Sequence, residues 1–379
     1  MNKIFFTLFF ISVSTLAQNI TMTVGQSGAL ILEGNSCEEL KKQEASICQW
    51  KKQLDLNFDI ATAQKNSRKC VPKKKKQTLT IVDCIPEFAK NYANKHIVHD
   101  GPNCWGTALS FKDISYRPRF VWPEEMRYWV EESPICKKLT PNEKTLPGDI
   151  INVYGPEYLF KDDMDEADSG VKFWDALYPK RRRAVSSTDI NQYSGYHRLL
   201  HSETIVSEKI VFGKDSPSKD DKFNFRNIDE VYGRPREVEC QENQDLTPHY
   251  REYENDPKRI RGTKCAYFTQ AFRCGNFYDY FETQKLNSND KEILERVRSM
   301  NGLQDQLHAQ IFTKQRKLSE CEIQLITASA DINAHLALEA LKKPNLNKVE
   351  EMLYTLEYFT AAGIRKSLEF ANLIPEKIN

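Results

Sequence analysis

The 379-residue sequence contains no CxxC pair, no histidines at zinc-finger spacing, no internal repeat, and no long apolar run beyond residue 16. Without the first two, a structural metal site is not expected. Without a later run of some twenty apolar residues, no membrane-spanning helix is expected. Charge of one sign is also lacking: 54 Lys and Arg against 53 Asp and Glu leave a net +1, so no overall field favours nucleic acid or an anionic membrane surface. Neither a nucleic-acid partner nor a cofactor is expected.

The amino terminus sets the compartment. Lys3 precedes an apolar run from Ile4 to Leu16, and Thr15-Leu16-Ala17 offers small residues before Gln18. This is the pattern of a secretory signal peptide over residues 1–17, too short to span a bilayer. No cysteine follows the cut, as a lipoprotein would require. A soluble protein exported to the periplasm or the cell exterior is expected, with about 360 mature residues, enough for two or three domains.

All ten cysteines fall in the mature chain, and an oxidising compartment makes disulfides the default. Ser36-Cys37-Glu38-Glu39 has capping-box spacing, and Leu40, Ile47, Leu54 and Ala61 recur every seventh residue. A helix to about residue 62 follows. Along it Cys37 and Cys48 would stand about 16 Å apart, beyond disulfide reach, which leaves Cys70 and Cys84 as the nearest partners. The stretch Lys65 to Gln77 reads as a basic, solvated linker. It closes an N-terminal helical segment over 18–77.

From residue 78 to 286 the pattern is mixed. "TLTIVDCI" and "DIINVY" read as strands, "CWGTALSF" and "PEEMRYWVEE" as helices, and "HSETIVSEKIVFGK" as two strands joined by a tight turn. The polar stretch 154–196 is long for a loop in a compact domain and reads as an insertion beside a cleft. From 287 to 379 the pattern is helical. Leu318, Cys321, Leu325, Ala328, Ile332 and His335 alternate spacings of three and four, the seam of a helix packed on another. That seam would hold Cys321 as a small, unpaired filler and His335 as a buried core residue.

Cys104 draws attention as a nucleophile. Pro102 and Asn103 precede it and Trp105-Gly106-Thr107-Ala108-Leu109 can continue as a helix, so the thiol lies where helix dipole and free amides favour a thiolate. The alternative is a disulfide to Cys84 or Cys136. A cysteine nucleophile needs a histidine brought to it by the fold. Of the seven histidines, His308 and His335 lie in the helical tail, His249 in a charged loop, and His96 and His99 in the approach to Cys104. His197 and His201 remain, at the head of the strand pair.

"NCWGTAL", then "LPGDIINV", then "HSETIVSEKIVFGK" resembles the order of elements in NlpC-type cell-wall peptidases, compact relatives of the papain fold. The resemblance covers about half of the mature chain. It implies an α+β fold in which a helix bearing the cysteine packs on a small antiparallel sheet, flanked here by the N-terminal helix and a C-terminal helical bundle. It further implies Cys104 as nucleophile, His201 as general base and acid, and Pro147-Gly148-Asp149 as a structural turn. Counting from His201, the orienting position falls on Gly213, which has no side chain; Asp215 is the nearest acceptor and so the weak third member. A shifted strand start would make His197 the base instead. The implied function is a thiol-dependent hydrolase cutting an amide bond in peptidoglycan stem peptides. The alternative is a catalytically silent papain-like fold that binds a protein partner through its C-terminal helices.

Overall fold

The computed structural model describes residues 20–25, 29–54, 57–67, 69–93, 97–140, 143–156, 197–208, 210–228, 268–313 and 317–375. The signal-like segment and most of the 154–196 insertion therefore lie outside the described residues, as does His249.

The N-terminal region is not purely helical. Strands β1 (Thr21–Val24), β2 (Leu30–Gly34), β3 (Val71–Lys73) and β4 (Lys76–Ile81) form an antiparallel sheet in the order β1-β2-β4-β3. Alternation buries Leu30, Leu32, Leu79 and Ile81 on one face. The expected basic linker is the β3–β4 hairpin: Lys74 adopts φ +57° at its tip, and the lysines stay wet. The boundary drawn at residue 77 falls inside β4.

Helix α1 (Cys37–Leu54) packs Leu40 and Ile47 on this sheet. Ser36 Oγ accepts from Glu39 N at 3.2 Å, and Glu38, Glu39 and Lys51, Lys52 sit at the dipole ends that suit their charge. The helix stops at Leu54 rather than near 62. A second one, α2 (Ile60–Asn66), starts at its own cap, where Asp59 accepts from Ala61 N and Thr62 N. The disulfides Cys37–Cys70 and Cys48–Cys84 tie α1 to the chain that follows.

The larger sheet holds β5 (Cys136–Lys138), β6 (Ile150–Pro156), β7 (His197–Ser207), β8 (Ile210–Gly213), β9 (Asn224–Asn227) and β10 (Phe268–Cys274), in the antiparallel order β5-β10-β6-β7-β8-β9. Cys136 and Cys274 are register partners and are disulfide-bonded. Around the sheet lie α3 (Glu87–Tyr92), α4 (Cys104–Phe111), α5 (Pro123–Arg127), which runs on into a π-helical turn at Tyr128–Glu132, and α6 (Phe277–Glu282).

Each face of this sheet has its own core. Ile150, Thr204 and Phe212 stand opposite one another across β6, β7 and β8. On their side lies α4: Ala108 and Leu109 share a cluster with Ile150 and Phe272, and Phe111 meets Phe88, which in turn meets Phe212. The other face carries Ile151, Ile205 and Val211, clustered with Trp50 of α1.

Three helices close the chain: α7 (Ser288–Thr313), α8 (Glu320–Leu341) and α9 (Lys348–Phe370). Capping boxes at Ser319/Glu322 and Asn347/Glu350 start the last two. Helix α9 packs against both others and against the segment before α5, with Trp122 beside Phe359 and Phe120 beside Phe370. These helices and the sheet share one core, in which fully buried Phe359 contributes roughly 1.5–3 kcal/mol. Beneath α9, Arg119 makes two hydrogen bonds to Glu125, at 2.6 and 2.9 Å, both residues buried.

The expected seam of α8 is corrected. Its buried stripe is Ile326, Ala330, Ala337, Ala340 and Leu341, where small alanines allow close approach to α9. Cys321 and His335 are exposed, and so are Leu325 and Ile332.

Candidate active site

Cys104 opens α4 behind the N-cap Asn103, whose Oδ1 accepts from Gly106 N at 3.0 Å while Nδ2 donates to Val121 O at 2.8 Å. The cap thus fastens the start of the helix to the strand-like segment before α5. Gly106 is required by that approach, since a Cβ there would overlap the carbonyl oxygen of Arg119. Trp105 is half-buried and seats on the core. Cys104 is a free thiol, 4% exposed. Cys84 and Cys136, its alternative partners, are bonded to Cys48 and Cys274.

The segment just before Cys104 is laced to the loop after β8. Gly101 N donates to Pro217 O, and Lys219 N to Asp100 Oδ1, each at 2.8 Å. At the root of that loop Lys214 is fully buried, its Nζ donating to Ser216 O and to Ser218 O. Burial pushes its pKa down to about 8, against the pull of Asp221, Asp100, Cys104 and Asp215. The thiol is therefore within electrostatic reach of a lysine.

His201 does not join them. It pairs with Val153 and alternates with Glu203 and Ile205, which puts it on the Trp50 face of the sheet, away from α4. No described hydrogen bond links it to Cys104. Beside it, the residues on the α4 side are Ser202 and Asn152, both buried and joined by a 2.6 Å bond from Ser202 Oγ to Asn152 Oδ1. His197 begins β7 opposite Pro156, and the register shifts between Val153 and Tyr154. That shift breaks the simple alternation that would have set His197 and His201 on one face. The side chain of His197 lies outside the described residues.

What orients His201 is Glu203, a residue the sequence reading passed over. His201 Nε2 lies 2.8 Å from Glu203 Oε1, and the carboxylate is completely buried. Gly213 makes this possible: a Cβ there would overlap Glu203 Oε2. Asp215, expected as the third member, is exposed and pairs instead with Arg226, which also binds Glu203. Ligand atoms of His201, Glu203 and Asp215 lie within 4.8 Å of one another. Such a donor set can hold a cation, and the Arg226 guanidinium already pairs with both carboxylates.

Pro147-Gly148-Asp149 forms the structural turn. Gly148 has φ +81°; the buried Asp149 accepts from Leu146 N at 2.7 Å and pairs with Arg273 at 2.9 Å. A cavity of about 580 Å³ opens between Asp100 and the end of α9, lined by Lys366, Glu369, Phe370 and Leu373. No family model, curated protein or solved structure matches the chain.

Proposed function

We propose that the chain is an exported binding protein built on a papain-like core, in which a helix bearing Cys104 packs on a small antiparallel sheet but the Cys-His pair of amide hydrolysis is not assembled. The observation that carries this reading is the position of His201, on the sheet face away from α4 and bonded to a buried carboxylate. Acyl transfer to a thiol needs a group within hydrogen-bonding reach to take its proton and return one to the leaving amine. Ser202, the adjacent residue on the α4 side, is not such a base. Three disulfides, and the absence among described residues of a helix long and apolar enough to cross a membrane, fit export.

The cavity beside Asp100 suits a peptide. It sets Asp100 and the Lys366–Glu369 ion pair beside the apolar Phe370 and Leu373, a lining of mixed charge and apolar surface that suits a ligand with charged ends and an aliphatic body, as in a wall stem peptide. The test is incubation of wild type, Cys104→Ala and His201→Ala with purified peptidoglycan. All three should co-sediment with it and release no soluble fragment, and Asp100→Ala with Lys366→Ala should weaken co-sedimentation. Release of fragments by wild type and not by Cys104→Ala would overturn the reading.

That outcome would favour a second reading, a thiol hydrolase with Cys104 as nucleophile. Its support is the unpaired state of Cys104, its place at a helix start, and the Lys214 charge within reach of it.

A further inference from the structure

Helix α8 has two apolar stripes and uses one of them. With Ile326, Ala330 and Ala337 turned to α9, the outward face presents Cys321, Leu325, Ala328, Ile332, His335 and Leu336. Leu325, Ile332 and Leu336 are 65%, 59% and 52% exposed. Between Cys321 and Glu339, no fully exposed position of α8 carries an acid, a lysine or an arginine. Asp331, flanking that face, is held by Arg365 of α9 at 2.9 Å, and the exposed Glu339, the next position of the spacing, ends the apolar stripe. Large side chains left this exposed on a charge-free helix face mark an interface.

The spacing specifies the occupant. Positions 321, 325, 328, 332 and 335 alternate steps of four and three, the register in which one helix accepts knobs from another with the same repeat. Every copy of the chain carries that complement, and a two-fold axis matches such a stripe to itself. We propose that two copies of this chain pair in parallel through the outward face of α8, with Cys321 of one copy against Cys321 of the other. The proposal is independent of any role for Cys104.

Area explains what the cysteine adds. The apolar stripe from Cys321 to Leu336 is about 24 Å long, and a contact strip about 10 Å wide along it buries on the order of 500 Å² over two copies. That falls below the roughly 1,200 Å² of a stable interface, so the pairing by itself is weak and reversible. In a parallel pair, like positions of the seam lie within disulfide distance. Oxidation makes the pair permanent: the two thiols lose two protons and two electrons to a small disulfide such as oxidised glutathione, which leaves as two thiols.

The experiment uses the full mature chain in glutathione buffers, followed by sedimentation velocity and non-reducing electrophoresis. In oxidised buffer wild type should become a covalent dimer that reductant reverses. Cys321→Ser should give no covalent dimer, and a weak dimer only at high concentration. Leu325→Glu with Ile332→Glu, on exposed positions and with unchanged circular dichroism, should stay monomeric although Cys321 is present. A wild type that remains monomeric in oxidised buffer, a covalent dimer that survives Cys321→Ser, or one that survives the double glutamate variant would each overturn the proposal.

Discussion

Glu203 holds His201 from two residues along the same strand, and its carboxylate fills the volume that Gly213, on the neighbouring strand, leaves vacant. Gly213→Ala should therefore push the carboxylate off both His201 and Arg226, with a loss of about 1–3 kcal/mol, typical of overpacking. Urea midpoints measure it. In a Glu203→Ala background the same alanine should cost nearly nothing, and additive losses in that cycle would show that the two residues do not share the space.

Cys104 and Lys214 should be coupled where Cys104 and His201 are not. In a Cys321→Ser background, alkylation of Cys104 by iodoacetamide at neutral pH should be slower in Lys214→Met, which removes the charge within reach of the sulfur. His201→Ala should alkylate at the wild-type rate. An equal slowing in both variants would put His201 back beside the thiol.

Lys214 also predicts a pH dependence. Burial holds its pKa at about 8 in the folded protein, below its ordinary value of 10.5. Between those values the unfolded chain binds the extra proton, so folding stability gains as pH rises from 8 to 10.5. Below pH 8 the cost of the buried charge is present in full. Relative to Lys214→Met, wild type should gain up to roughly 3 kcal/mol across that window. Urea titrations at pH 7, 9 and 10.5 test it, and a constant difference between the two proteins would contradict it.

The Arg119–Glu125 pair lies under α9, where Gly363 leaves it room: a Cβ at Gly363 would approach Arg119 Nε to 2.9 Å. Glu125→Ala strands a buried guanidinium and should lose about 3–5 kcal/mol. Thermal unfolding measures this. A loss under 1 kcal/mol would mean that water reaches the pair.

Much of this was legible in the residues. The Ser36 capping spacing located the start of α1, the residues around Cys104 located α4, and helix rise alone forbade a Cys37–Cys48 bond and pointed to Cys70 and Cys84. The face of β7 was not legible. Alternation shows that His201 and Ser202 point opposite ways, but which side α4 covers depends on Ile150 and Phe212, whose pairing partners lie far along the chain. Gly213 looked like a missing side chain because its neighbour across the sheet was unknown. On α8 both stripes are apolar, and periodicity cannot say which one meets α9. The alanine-rich stripe does, because it lets the helix axes approach more closely than leucines would.

The Cys136–Cys274 bond encloses the chain from 137 to 273 in a covalent loop. That loop contains residues 157–196 and 229–267 together with β6, β7, β8 and β9. A protease that cuts once anywhere inside it divides the chain without separating the pieces. On a gel without reductant the nicked protein should keep its full mass, and with reductant it should resolve into two fragments. Its loss of intactness stays hidden until a thiol is added.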